Sequence, residues 1–180
     1  LDMRGGEAVA YTDIPQGVVD YAWAPTGQRM ALLITDETPS ERAAREAGDD
    51  PKPAPWVIDR LQFKEDGVGY LNRARTHVYV IEGRGGEAKQ LTFGDYDDGE
   101  IAWRPDGARI YFLSEDSAEQ PLSAYDIESG EITRLIDGES VVYGYHAGKS
   151  GDIAAYISRP TLPGDVFLHN AQSLSRLTQV

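Results

Sequence analysis

The 180-residue sequence has no cysteine, which excludes a disulfide framework, a thiolate zinc site and a cysteine nucleophile. Basic charge is scarce: 17 Lys and Arg stand against 30 Asp and Glu, a formal net charge of −13. Nucleic-acid binders gain affinity from clustered cations that release counterions, so no nucleic acid partner is expected. Long apolar runs are missing as well. The best, Met30-Ala31-Leu32-Leu33-Ile34, falls far short of the ~20 residues a helix needs to cross a bilayer, and no membrane partner is expected. Only three histidines occur, His77, His146 and His169, far apart and without a serine in a strained turn beside them. They suit neither a Ser-His-Asp device nor a metal site, and no cofactor is expected. No charged-then-apolar leader opens the sequence. Thirteen Arg against four Lys, with no Cys, suggest a bacterial protein, and a cytoplasmic location is the working expectation.

What the sequence does have is an internal repeat. Residues 23–33 read W-A-P-T-G-Q-R-M-A-L-L and residues 103–113 read W-R-P-D-G-A-R-I-Y-F-L, aligned without a gap. A fainter copy, S-G-D-I-A-A-Y-I-S at 150–158, aligns with residues 106–114. Each copy is followed by a second signal: Gln90-Leu91-Thr92, Arg134-Leu135-Ile136 and Arg176-Leu177-Thr178. In the Pro-x-Gly turns, Pro presets φ and Gly accepts the positive φ that reverses the chain. Short strands follow at Arg29–Thr35, Arg109–Ser114 and 152–158, then at His77–Glu82, Leu122–Ile127 and 165–169. Four strands per unit of about 44 residues predict an all-β fold, a β-propeller of four-stranded antiparallel blades. The expected division is the end of a preceding blade at 1–13, then blades at 14–93, 94–136 and 137–180. That makes about three blades and a terminal strand.

The first unit carries about 40 extra residues, an insertion at about 36–76. Its start predicts a helix, with Thr38 as N-cap, Pro39 at N1, Glu41 closing a capping box and Gly48 after the last alanine. Three prolines at 51–55 break the chain, and Lys64-Glu65-Asp66-Gly67-Val68-Gly69-Tyr70 reads as a glycine-rich turn. Large insertions in repeat proteins project from one face, often the functional one.

The W-x-P-x-G-x-R turns, together with D-R-L-Q-F-K-E-D-G-V-G-Y-L at 59–71, resemble the N-terminal propeller of the prolyl oligopeptidase family. Within it, the acylaminoacyl peptidase and dipeptidyl-peptidase-like branch is most similar. S-R-P-T-L-P-G-D-V-F-L at 158–168, ending in R-L-T, resembles the blade before the hydrolase domain. Such propellers have roughly seven or eight blades. Family members carry their serine in a G-x-S-x-G elbow on an α/β-hydrolase domain. This chain has no such elbow; Gly144-Tyr145-His146-Ala147-Gly148 has histidine at the nucleophile position. The resemblance therefore implies a non-catalytic portion that gates short, N-acylated or free, peptide substrates toward a C-terminal α/β-hydrolase domain. The site residues it implies are Arg60, Lys64, Asp66 and Tyr70, lining the access route or touching that domain. The plainer reading has Asp59-Arg60 and Lys64-Asp66 pairing to order a loop. The alternative for the whole chain is a stand-alone TolB-like propeller that binds a protein.

Three structural expectations complete the reading. Trp23 and Trp103 fill gaps between neighbouring blades. Asp95–Glu100, faintly like a calcium loop, is a solvated loop between blades. About three blades leave two apolar faces uncovered, so the chain self-associates or docks missing blades.

Overall fold

The computed structural model describes residues 10–50, 52, 55, 58, 63–67, 69–71, 73–171 and 173–179. The first sheet begins with β1 (Asp20–Trp23) and β2 (Arg29–Thr35). The chain then leaves it for α1 (Pro39–Ala47) and a small hairpin, β3 (Lys64–Glu65) and β4 (Gly69–Tyr70). It returns as β5 (Thr76–Glu82) and β6 (Lys89–Gln90). The second sheet is β7 (Asp97–Trp103), β8 (Arg109–Glu115), β9 (Leu122–Asp126) and β10 (Ile132–Ile136). The third is β11 (Val141–Ala147), β12 (Ile153–Arg159), β13 (Leu162–His169) and β14 (Leu174–Arg176). Each is a four-stranded antiparallel meander in sequence order, the build of a propeller blade.

The repeated turns fold alike. Ala24 N–H donates to Arg29 O at 2.9 Å and Gly27 N–H to Ala24 O at 2.8 Å; Arg104, Arg109 and Gly107 make the same bonds at 2.9 and 2.8 Å. Gly27 and Gly107 take φ of +67° and +73°, a conformation that strains any residue with a Cβ. In the third sheet Gly148, Gly151 and Asp152 close an equivalent turn.

Alternation along each strand supplies two apolar faces, because successive side chains point to opposite sides of a sheet. From the first sheet, Ala31, Leu33 and Val78 pack with Trp103, Ile110 and Phe112 of the second. The other face of β8 carries Tyr111 and Leu113, which pack with Ile153, Ala155 and Ile157 of the third. Met30, Leu32, Ile34 and Ile81 form a third cluster, partly covered by Ile14 and Val18. Each fully buried aliphatic or aromatic side chain contributes roughly 1.5–3 kcal/mol, so the seams between sheets hold the array together.

Trp103 is 7% exposed, and its indole N–H donates to Ala22 O at 2.9 Å, joining the second sheet to the first. It fills the gap between blades. Trp23, at the matching position, is 44% exposed, with the Tyr11 ring meeting it edge-on at 5.8 Å. The wedge reading holds for one tryptophan and not for the other, because no described sheet faces Trp23. The expectation for Asp95–Glu100 also needs correction. Asp97 opens β7, and Asp98 is 4% exposed, accepting from Thr92 Oγ1 at 2.5 Å and Ser114 Oγ at 2.7 Å. A buried carboxylate needs such donors, and the hydroxyls of β8 and of the segment after β6 provide them.

Candidate functional site

The insertion leaves between β2 and β5 and is closed at its base. Asp36 N–H donates to Arg75 O at 2.7 Å, so the two stems lie side by side. Asp36 anchors the first stem to the sheet: its carboxylate accepts from Tyr79 Oη at 2.6 Å and lies 2.9 Å from His77 Nδ1. Burial and the Asp36 charge push the Tyr79 phenol far above its ordinary range, so it stays protonated and donates. Arg75 anchors the second stem to the following sheet, with Nε 2.9 Å from Asp95 and Nη1 2.9 Å from Asp97. Asp97 also accepts from Thr76 N–H at 2.8 Å. Asp36 and Arg75 therefore tie the insertion to both sides of one seam.

Above this base stands α1. Thr38 and Glu41 form the capping box, with Thr38 N–H donating to Glu41 Oε2 at 2.8 Å, and Gly48 closes the C-terminus. None of its residues is buried, so caps and charge pairs hold it. Glu37 receives Arg45 bidentately at 2.7 and 3.0 Å, and that bond holds the Glu37 carboxyl below the usual range. Between α1 and the first sheet lies a cleft of about 510 Å³, lined by Pro15, Gln16, Asp36, Glu37, Arg45 and Asp49 among others.

Of the four residues expected to carry function, Lys64 and Tyr70 sit on the β3–β4 hairpin and Asp66 in its turn. Lys64 and Asp66 are exposed and do not pair with each other; Tyr70 stacks on Phe63 with ring centres 6.3 Å apart. Arg60, and with it the expected Asp59-Arg60 pair, lies outside the described residues. The clamp residues Asp36 and Arg75 escaped the sequence reading, which weighed His77 only as a catalytic or metal candidate; their only signal was flanking the insertion.

The arrangement suits binding and positioning. His77 is 2% exposed and committed to Asp36, and among the described residues no serine bonds a histidine. His146 is exposed on β11 and His169 ends β13. Among the described residues no group of three His, Asp or Glu is placed to hold a metal ion, and no helix is long and apolar enough to cross a membrane.

The sequence matches no family profile. It is 31% identical over 129 residues to the uncharacterized peptidase YuxL of Bacillus subtilis (strain 168), covering 69% of this chain and 20% of that protein. The chain thus spans about a fifth of the length of this curated relative. A puromycin-hydrolyzing peptidase from Mycobacterium tuberculosis superposes over 91% of this chain and 22% of its own, with a TM-score of 0.59 and 14% identity. TolB from Acinetobacter baumannii does so over 87% of this chain and 31% of its own, with a TM-score of 0.54 and 17% identity.

Proposed function

The chain belongs to the prolyl oligopeptidase family as a portion of its β-propeller, and from that premise we propose that it gates substrate access to a hydrolase domain C-terminal to it. The chemistry is hydrolysis of an amide bond near the N-terminus of a short peptide, N-acylated or free, through an acyl-enzyme on that domain. The supporting observation is the insertion: a capped helix and an aromatic hairpin raised from one blade and clamped at the base by Asp36 and Arg75. Arg60, Lys64, Asp66 and Tyr70 line the access route or meet the hydrolase domain, and a guanidinium there suits a peptide carboxylate. We divide the chain as the end of a preceding blade at 1–13, a blade with its insertion at 14–93, and blades at 94–136 and 137–180. The likeness to TolB favours a second reading, a stand-alone propeller that binds a protein. Fold alone does not choose between them.

The test is the intact gene product assayed with peptide chromogens of increasing length, N-acylated and free. Gating predicts turnover that falls with peptide length, and a variant lacking residues 38–73 that gains activity on the long members. Absence of amide hydrolysis by the intact product, or a length dependence unmoved by the deletion, overturns the peptidase reading or the gate respectively.

A further inference from the structure

On the side of the array where the β7–β8, β11–β12 and β13–β14 turns lie, a groove of about 390 Å³ runs between the second and third sheets. Its lining is basic and polar in a chain of net charge −13: Arg104 and Arg109 flank the β7–β8 turn, Tyr111 follows on β8, and His169 and Asn170 end β13. Arg104 lies across the seam, its Nε 3.7 Å from where a Cβ on Gly151 would stand. Each arginine gives one side of its fork to a neighbouring acid: Arg104 Nε is 3.3 Å from Asp106 and Arg109 Nε is 3.1 Å from Asp126. A guanidinium carries five donors, so both keep N–H groups free. Asp106 and Asp126 are themselves engaged by backbone donors, from Ala108 and from Glu128 and Ser129.

Tyr111 separates this groove from an ordinary charged surface. As a residue it is 4% exposed, its ring meets the Tyr145 ring edge-on at 6.4 Å, and its hydroxyl, bonded to no described residue, opens into the groove. A phenol with a packed ring and a free tip presents a fixed donor to whatever occupies the groove. Burial, with the Asp106 charge, raises this phenol above its ordinary range, while the Arg104 and Arg109 charges beside it act in the opposite sense. His169, held below its ordinary range by burial, is a neutral second polar group in the same groove at pH 7.

We propose that this groove is a binding site for a small oxyanion, a carboxylate or a phosphate, held by the Arg104 and Arg109 guanidiniums and the Tyr111 hydroxyl. The oxyanion takes the place of solvent on the Tyr111 hydroxyl and supplies the second acceptor each fork can take. The groove bridges two blades, so an occupant also strengthens their seam. This inference is independent of any peptidase activity, because the insertion lies at the opposite ends of the strands.

The test is thermal unfolding of the 180-residue chain with inorganic phosphate and, separately, with succinate, each against sodium chloride at matched ionic strength. A saturable rise in Tm with either anion beyond the chloride control is expected, and the stronger anion tells phosphate from carboxylate. Tyr111→Phe keeps the ring packing and loses one bond; it should weaken binding roughly two- to tenfold. Arg104→Gln, on an exposed turn, should weaken it about tenfold or more. Arg29→Gln, whose partner Glu82 lies in the first sheet, should leave binding unchanged. Rises equal to those in chloride, or a rise untouched by both Tyr111→Phe and Arg104→Gln, overturn the site.

Discussion

Asp98 shows what a single side chain does in this fold. It leaves water on folding and is compensated by two hydroxyl donors, Thr92 from the segment after β6 and Ser114 from β8. Burial raises its carboxyl above the ordinary value of 3.8, outweighing those donors. Above pH 3.8 the native state therefore keeps this proton longer than the unfolded chain does. The sign follows from linkage: where the native state binds more protons, stability falls as pH rises. The carboxyl's contribution thus declines upward from about pH 4 and levels once the folded group has ionised. Asp98→Asn removes this titration, so its urea-derived stability, referred to that of the parent, should gain steadily between pH 4 and the plateau. A difference between the two proteins that stays flat over this range would show that Asp98 does not titrate as its burial demands. Asp98 appears in the sequence as one of several acids in D-Y-D-D-G-E, and nothing nearby marks it for burial. Its donors come from β8 and from the segment after β6, and only their convergence singles it out.

At the level of elements, α1 and the turns were legible because their signals are local. Thr38, Pro39, Glu41 and Gly48 lie within eleven residues and satisfy the helix ends themselves. The insertion's attachment was not legible, because Asp36 meets His77 and Tyr79, while Arg75 meets Asp95 and Asp97, across long stretches of chain. Arg75→Gln should loosen the insertion and leave the sheets folded. The expected result is faster hydrogen exchange and faster proteolytic cleavage across residues 37–50, with the amides of β8 and β12 unchanged. Arg75→Lys, which keeps the charge but not the fork, should fall between the two. Thr38→Ala should cost about 1 kcal/mol locally, read as faster exchange in α1 with little change in global unfolding. If Arg75→Gln leaves exchange in 37–50 at parental rates, the clamp has no positioning role.

For the molecule as a whole, the decisive feature is the pair of outer faces. On the third sheet Tyr143 is 59% and Tyr156 46% exposed, their rings 5.5 Å apart, with Val166 and Leu177 also exposed. On the first sheet Val19, Tyr21 and Trp23 are exposed. Such patches drive association in water. Light scattering of the 180-residue chain should show mass rising with concentration, and Tyr143→Glu with Tyr156→Glu should reduce it. A monomer at all concentrations would mean that these faces are stable in solvent.

Strand alternation, the paired Pro-x-Gly turns and the helix caps follow from neighbouring residues alone, since a pleat, a reversal and a cap are made within one turn of chain. That suffices to specify blades and to mark where the insertion departs. Which tryptophan is covered, which aspartate is buried and how the insertion is clamped depend on side chains brought together from separate parts of the chain. Those outcomes belong to the packed array, because desolvation and charge pairing act through space and are insensitive to the order of residues along the chain.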